Sequence, residues 1–207
     1  MRHSDLPKGK TLQKYPPARR LRTAAVTLAS GLLILMTAAC KEAARDSAVA
    51  GDYGCGRDGS LAVELHGGLQ ARLDWSAAEL SCAGMPRPAG AGARLRLSGP
   101  LDDAPDTERI AIILGIPDLA RGATGSELPT NATLIEEGAG RFFGTSGANG
   151  CWTDIHRHEP AGEPGSAEYL VSGTVYCVAP LAELNGGSSI SFTELEFTGR
   201  IDWDEPE

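Results

Sequence analysis

Two alternating segments around a Pro- and Gly-rich loop constrain the fold of this 207-residue chain more than any other feature. Residues 151–158 and 169–178 flank a loop with two prolines and two glycines. If the chain folds back at Pro164, residues whose numbers sum to 328 face each other, and Cys151 then faces Cys177. Opposed residues of antiparallel strands lie about 4.5–5.5 Å apart at Cα, within disulfide reach. The pattern therefore predicts a disulfide-bridged β-hairpin.

The same register makes two further predictions about neighbours in this hairpin. It sets Trp152 against Tyr176, a cross-strand pair that contributes about 0.5–1 kcal/mol. It also sets Arg157 against Val171. Because neighbouring residues of a strand point to opposite faces, the bridge and the Trp–Tyr pair are predicted to lie on opposite sides of the hairpin.

Cys55 and Cys82 are the other two cysteines of residues 52–207. An even number of cysteines in an exported domain indicates disulfides, and four cysteines allow three pairings. The hairpin register favours the local pairing, in which Cys55 bonds Cys82. The sequence has no CxxC, so a zinc site or a thiol nucleophile is disfavoured.

Strand signals fill most of the remaining chain. For the first pair, a three-residue loop at 66–68 sets Leu65 against Leu69 and keeps one face apolar. Residues 110–114 are almost wholly apolar, which indicates a strand that is buried on both sides or central. A single helical turn is predicted at residues 76–80, and a long loop at 117–129. The predicted strands, besides the hairpin and the C-terminal segment, are 61–65, 69–73, 94–98, 109–116, 132–137 and 141–144.

The apolar pattern changes phase near the C-terminus. Ile190 and Phe192 have even numbers, whereas Leu195 and Phe197 have odd ones. A period of two cannot slip without an extra residue, so we expect a β-bulge near 193–194 or a break into two strands. Together these signals predict a single all-β domain over residues 52–207, an antiparallel β-sandwich of about nine strands with two disulfides.

The N-terminal segment has a different character. A basic stretch ends at Arg22, an uncharged apolar run spans residues 24–39, and Ala38 and Ala39 precede Cys40. The layout resembles the signal peptide and lipobox of bacterial prelipoproteins, although Thr37 stands where Leu is commonest. The resemblance implies cleavage after residue 39, acylation of Cys40 and a tether over residues 40–51. An uncleaved anchor is the alternative, but the run is shorter than the about 20 residues of a spanning helix.

Charge indicates which partners suit the domain. Residues 1–39 hold seven of the 19 basic residues and one of the 27 acidic residues. The remainder therefore has 12 basic and 26 acidic residues, a formal net charge of −14. Such a surface repels nucleic acid and anionic headgroups, so the lipid is expected to hold the protein on its membrane. Lys41 follows the lipobox cysteine, which by family analogy directs the protein to the outer membrane where the host has one.

One constellation has the spacing of a metal site. Asp154, His156 and His158 stand at i, i+2 and i+4, so an unbroken strand places them on one face, where they could ligate a divalent metal. A solvated polar face is the alternative that we favour. The sequence contains no G-x-S-x-G, no phosphate-binding G-x-x-x-x-G-K and no H-E-x-x-H.

We therefore predict no catalytic residues and no cofactor. The favoured hypothesis is a non-enzymatic, lipid-anchored protein of the cell envelope that binds a protein, glycan or lipid partner or supports envelope structure. The alternative is an envelope hydrolase or metal-dependent enzyme. A deep pocket that joins His156 or His158 to buried carboxylates would favour the enzyme.

Overall fold

The computed structural model describes residues 54–88, 91–101, 108–147 and 150–204. The predicted signal segment 1–39, Cys40 and the tether to residue 51 lie outside the described residues. The described part is all-β, with twelve antiparallel strands and no helix. The strands are β1 (Ser60–Gly67), β2 (Ala71–Ser76), β3 (Ser81–Pro86), β4 (Ala93–Pro100), β5 (Arg109–Ile116), β6 (Gly125–Glu136), β7 (Arg141–Gly144), β8 (Cys151–Pro160), β9 (Glu168–Cys177), β10 (Leu181–Glu183), β11 (Ser189–Ser191) and β12 (Leu195–Asp202).

The strands form two sheets that share two members. Sheet I has the order β3-β4-β5-β6-β7-β10-β11-β1. Sheet II has the order β2-β1-β12-β9-β8-β6. The N-terminal half of β6 pairs with β8 and its C-terminal half with β5, while β1 pairs with β12 and then with β11. All twelve strands therefore belong to one hydrogen-bonded network.

The two sheets pack face to face around an apolar core. Every second residue of β12 is buried, as expected for a strand with one face on a core. β4 and β5 show the same alternation, with Ser98 and Ala111 buried on their other face as well. Trp75 of β2 is 1 % exposed and donates its indole N–H to the carbonyl of Pro100 at 2.9 Å. A Cβ on Gly99 would lie 2.5 Å from Cδ2 of Trp75, so this glycine allows the indole to pack against the backbone.

Both predicted disulfides are confirmed, Cys55–Cys82 and Cys151–Cys177. The predicted register of the first hairpin is wrong. Leu65 pairs with Ala71 and Val63 with Leu73, so β1 and β2 are joined by a longer connection than the three-residue loop. The shift is two residues, which preserves the buried face of each strand, and for that reason the apolar pattern did not distinguish the two registers.

Several other sequence predictions are confirmed. β5 is central, between β4 and β6, and the phase change near residue 193 is a break between β11 and β12. The predicted turn at Ser76 is present, because Ser76 accepts the N–H of Leu80 at 3.0 Å and bonds the Glu79 carboxylate. That carboxylate accepts hydrogen bonds from the backbone N–H and from the hydroxyl of Ser76. Both bonds lower the pKa of Glu79, and the backbone bond has the larger effect.

Two features of the strand map were not predicted. Residues 125–129, assigned to a long loop, are the start of β6, where Glu127 has a φ of 53° beside a register shift. The strands β3 and β10 were also missed, because the first contains Gly, Met and Pro and the second has three residues. No helix in the described part of the chain is long and apolar enough to cross a bilayer.

Candidate functional site

The hairpin of β8 and β9 follows the predicted register over its first half only. Cys151 faces Cys177, and Trp152 faces Tyr176, as the sum of 328 requires. The register then shifts between Ile155 and Arg157, so that one extra residue lies on β8. Such a bulge redirects every later side chain of its strand to the opposite face.

The bulge overturns the pairing predicted beyond it. Arg157 pairs with Ser172 and not with Val171, and His158 takes the place opposite Val171. Arg157 is therefore exposed on the outer face of sheet II, together with Trp152 and Asp154. His158 is 6 % exposed and faces the interior.

The candidate metal residues consequently do not share one face. Asp154 accepts the backbone N–H of Glu127 at 2.6 Å, and His156 bonds the hydroxyl of Thr174 at 3.1 Å. His158 lies on the other side of the sheet, so the predicted single face is wrong. In the part of the chain that the structure describes, no group of three His, Cys, Asp or Glu side chains is placed to hold a metal.

His158 has two interior hydrogen bonds. Its Nδ1 lies 2.9 Å from the carbonyl of Ala123, and the indole N–H of Trp203 donates to its Nε2 at 3.1 Å. An indole nitrogen only donates, so Nε2 must be the acceptor and Nδ1 carries the proton. Burial lowers the pKa of His158, opposed by the bond to Ala123. A neutral imidazole thus joins β8 to two distant segments.

Among the described residues, the contacts of the two histidines do not include the buried carboxylates that would favour a hydrolase. The partners of His158 are a carbonyl and an indole, and the partner of His156 is a threonine hydroxyl. The described residues pair neither imidazole with a carboxylate. A general base of the Ser–His–Asp kind needs an acidic group to orient the imidazole, and these contacts do not supply one.

The most distinctive feature of the outer face is an aromatic pair. The rings of Trp152 and Tyr176 are stacked, with centroids 6.4 Å apart and planes inclined by 26°. Both side chains are partly exposed. The phenol of Tyr176 donates to Asp154 at 3.3 Å. Desolvation and the charge of Asp154 raise the pKa of Tyr176, so the phenol stays a donor.

A groove of about 240 Å³ crosses the same face on β1, β2 and β12. It forms at Ala62, whose cross-strand neighbours are Asp74 and Glu196. The small side chain between two longer ones leaves the depression. Glu64, Glu194 and Arg72 also line it, so the groove has four carboxylates and one guanidinium and is mainly acidic.

Known proteins give no guide to this face. No protein-family model, curated protein or solved structure matches the chain. The function must therefore be inferred from the chemistry of the face itself. Sequence reasoning predicted that Trp152 faces Tyr176, and the 328 register holds there and at Asp154. It did not predict the contact between Asp154 and Tyr176. It placed His158 on the wrong side, because a bulge leaves no signal in the alternation of polar residues.

Proposed function

We propose that this protein is a non-enzymatic binding module of the bacterial cell envelope, anchored through acylated Cys40, that holds a glycan on the outer face of sheet II. The lipobox-like string before Cys40 supports the anchor. Two disulfides in the folded domain support an oxidising compartment beyond the cytoplasm. In a host with two membranes, Lys41 favours the outer one.

The pair formed by Trp152 and Tyr176 is the observation that carries the binding proposal. Aromatic faces pack against the C–H faces of sugar rings, and their polar atoms remain available for hydrogen bonds. Asp154 and Thr174 lie beside the pair on the same face, where they offer an acceptor and a hydroxyl. A rigid sheet with partly exposed rings and adjacent polar groups suits an extended chain of sugars.

The glycan proposal is tested with the full-length protein, purified in detergent. An array of neutral, uronic-acid and phosphorylated oligosaccharides is probed with the wild type and with Trp152→Ala. The variant should lose most of its glycan binding, because it removes the larger aromatic surface. Phe142→Ala is the matched control, since Phe142 is an exposed aromatic residue, 43 % accessible, on sheet I. Equal loss in both variants, or glycan binding that survives Trp152→Ala, would contradict the proposal.

The anchor is tested separately in cells. Cys40→Ser should abolish incorporation of labelled palmitate and leave an uncleaved precursor. Gradient fractionation of the wild type should place the protein with outer-membrane markers where the host has that membrane. An unmodified Cys40 in the wild-type N-terminal peptide, identified by mass spectrometry, would end the lipoprotein proposal.

A further inference from the structure

A second cavity lies at the other end of the outer face of sheet II. It has a volume of about 160 Å³ and is lined by three arginines, Arg57, Arg157 and Arg200. Asp58 and Glu159 also line it, so the lining has a formal net charge of +1. Residues 40–207 as a whole have a formal net charge of −14. This is therefore a basic site on a strongly acidic protein.

Two separate features of the fold place Arg157 and Arg57 at this cavity. The bulge of β8 turns Arg157 outward. The Cys55–Cys82 bridge fixes the start of a turn that presents Arg57, closed by the bond from Gly59 N–H to the carbonyl of Gly56 at 3.3 Å. The cavity thus depends on contacts that are distant in sequence, and it is built on strands and a bridged turn.

The guanidinium of Arg200 packs closely against that turn. Gly56 has a φ of +71°, and a Cβ there would lie 2.5 Å from Nη2 of Arg200. Arg200 donates through Nη1 to Glu168 at 3.4 Å, whereas the described residues offer its buried Nε no acceptor. Arg157 pairs with Glu159 at the surface, where both side chains are about half exposed. Such exposed pairs contribute little and exchange readily with a competing anion.

The cavity and the aromatic pair lie on one continuous face. Trp152 and Arg157 belong to the same strand and both point outward, five residues apart. At about 3.3 Å per residue they are separated by about 16 Å. An extended oligosaccharide on the aromatic pair therefore reaches the arginines without bending away from the sheet.

We propose that this cavity is an anion subsite that binds the carboxylate or phosphate of an acidic glycan held by Trp152 and Tyr176. The proposal rests on the proposed glycan function and deepens it, because it assigns the ligand class. Guanidinium groups bind these oxyanions through paired hydrogen bonds, and several arginines around one cavity reinforce that preference. Neutral glycans make only the aromatic contacts and bind more weakly.

The test compares acidic with neutral oligosaccharides on the full-length protein in detergent. The variant is Arg57→Gln with Arg157→Gln, both exposed residues whose loss leaves the core intact. We expect affinity for acidic glycans to fall about 10-fold or more, the effect of losing charged hydrogen bonds, with neutral glycans unaffected. Arg94→Gln, an exposed arginine on β4 of sheet I, is the matched control and should change neither. Raising the salt concentration should weaken only the acidic ligands.

Each other outcome separates the two proposals. If acidic and neutral glycans bind alike, or the arginine variant weakens both equally, the subsite is wrong and the glycan function stands. If no glycan binds, the function fails, and inorganic phosphate then tests the cavity alone. If phosphate protects the amides of residues 56–59 from hydrogen exchange, and this protection is lost in the arginine variant, the cavity is still an anion site. If phosphate gives no protection, the anion site is wrong. Arginine-dependent binding to phosphatidylglycerol vesicles but to no glycan would assign the anion to a lipid headgroup and overturn the glycan ligand.

Discussion

Replacing Trp203 by Phe should destabilise the domain by removing one buried hydrogen bond. The indole N–H donates to Nε2 of His158 at 3.1 Å, and His158 is 6 % exposed. Phe keeps an aromatic ring beside the imidazole, whose centroid lies 5.6 Å from the indole ring in the wild type. The substitution therefore removes the donor and leaves most of the packing.

The size of the effect follows from the acceptor that is left behind. A buried polar atom that loses its partner destabilises a protein by about 1–3 kcal/mol. Trp203 is partly exposed, so water reaches the Nε2 side of the ring to some extent. We expect a loss of about 1–2 kcal/mol in the free energy of unfolding, in the lower part of that range. Urea unfolding at pH 7.5 measures it through the change in midpoint at constant slope.

The burial of His158 also predicts how stability depends on pH. Burial lowers the pKa of His158 below its ordinary value, so the unfolded chain takes up a proton at a higher pH than the folded one. Stability is therefore fully present above about pH 6.5 and falls as the pH decreases towards the folded-state pKa. Protonated His158 would set an N–H against the indole N–H. Trp203→Phe removes the indole N–H that would face the protonated imidazole. The variant should therefore lose less stability than the wild type when the pH is lowered.

Trp152→Phe is the control, because Trp152 is a partly exposed tryptophan on the opposite face of β8. It should leave both the midpoint and its pH dependence close to those of the wild type. A Trp203→Phe protein as stable as the wild type, or one that keeps the full acid sensitivity, would refute the role assigned to this hydrogen bond.

Two further predictions concern the fold. Replacing Cys151 and Cys177 together by Ala should lower the free energy of unfolding by about 3–4 kcal/mol, the value for a loop of 26 residues; a loss below about 1 kcal/mol in urea melts would contradict this estimate. Thr130 and Thr153 are both fully buried with hydroxyls 2.7 Å apart, and Thr130 donates to a carbonyl at 2.9 Å. Thr153 must therefore donate to Thr130. Thr130→Val leaves the Thr153 donor unpaired and should lower the free energy of unfolding by about 1–3 kcal/mol. Thr153→Val removes only the bond itself and should lower it by about 0.5–1.5 kcal/mol. The reverse order in the same melts would show that the hydroxyls point the other way.

The sequence was most informative where one pairing satisfied two independent requirements. In the β8–β9 hairpin, the bridge between Cys151 and Cys177 and the pair of Trp152 with Tyr176 demand the same register, which the structure confirms. The first hairpin has only the apolar pattern to set its register. That pattern is unchanged by a two-residue shift, so it left Leu65 with the wrong partner.

The bulge at His156 was beyond prediction because its stabilising contacts come from remote segments. On β8 itself, Asp154, His156 and His158 alternate as an exposed polar face would. The strand shifts phase where an interior imidazole meets a donor from Trp203 and an acceptor from Ala123. These two residues are 45 and 35 positions away from His158 in the chain. Local periodicity contains no information about them.

One extra residue therefore determines both the interior contact and the proposed anion subsite. The phase change that turns His158 inward turns Arg157 outward, towards the cavity that it lines with Arg200. A regular strand that kept His156 would pair His156 with Ser172 and return Arg157 to the interior opposite Val171. It would place an arginine on the face where the neutral imidazole now lies. An unpaired buried guanidinium is strongly unfavourable, so the bulge is required for folding as well as for the arrangement of the outer face.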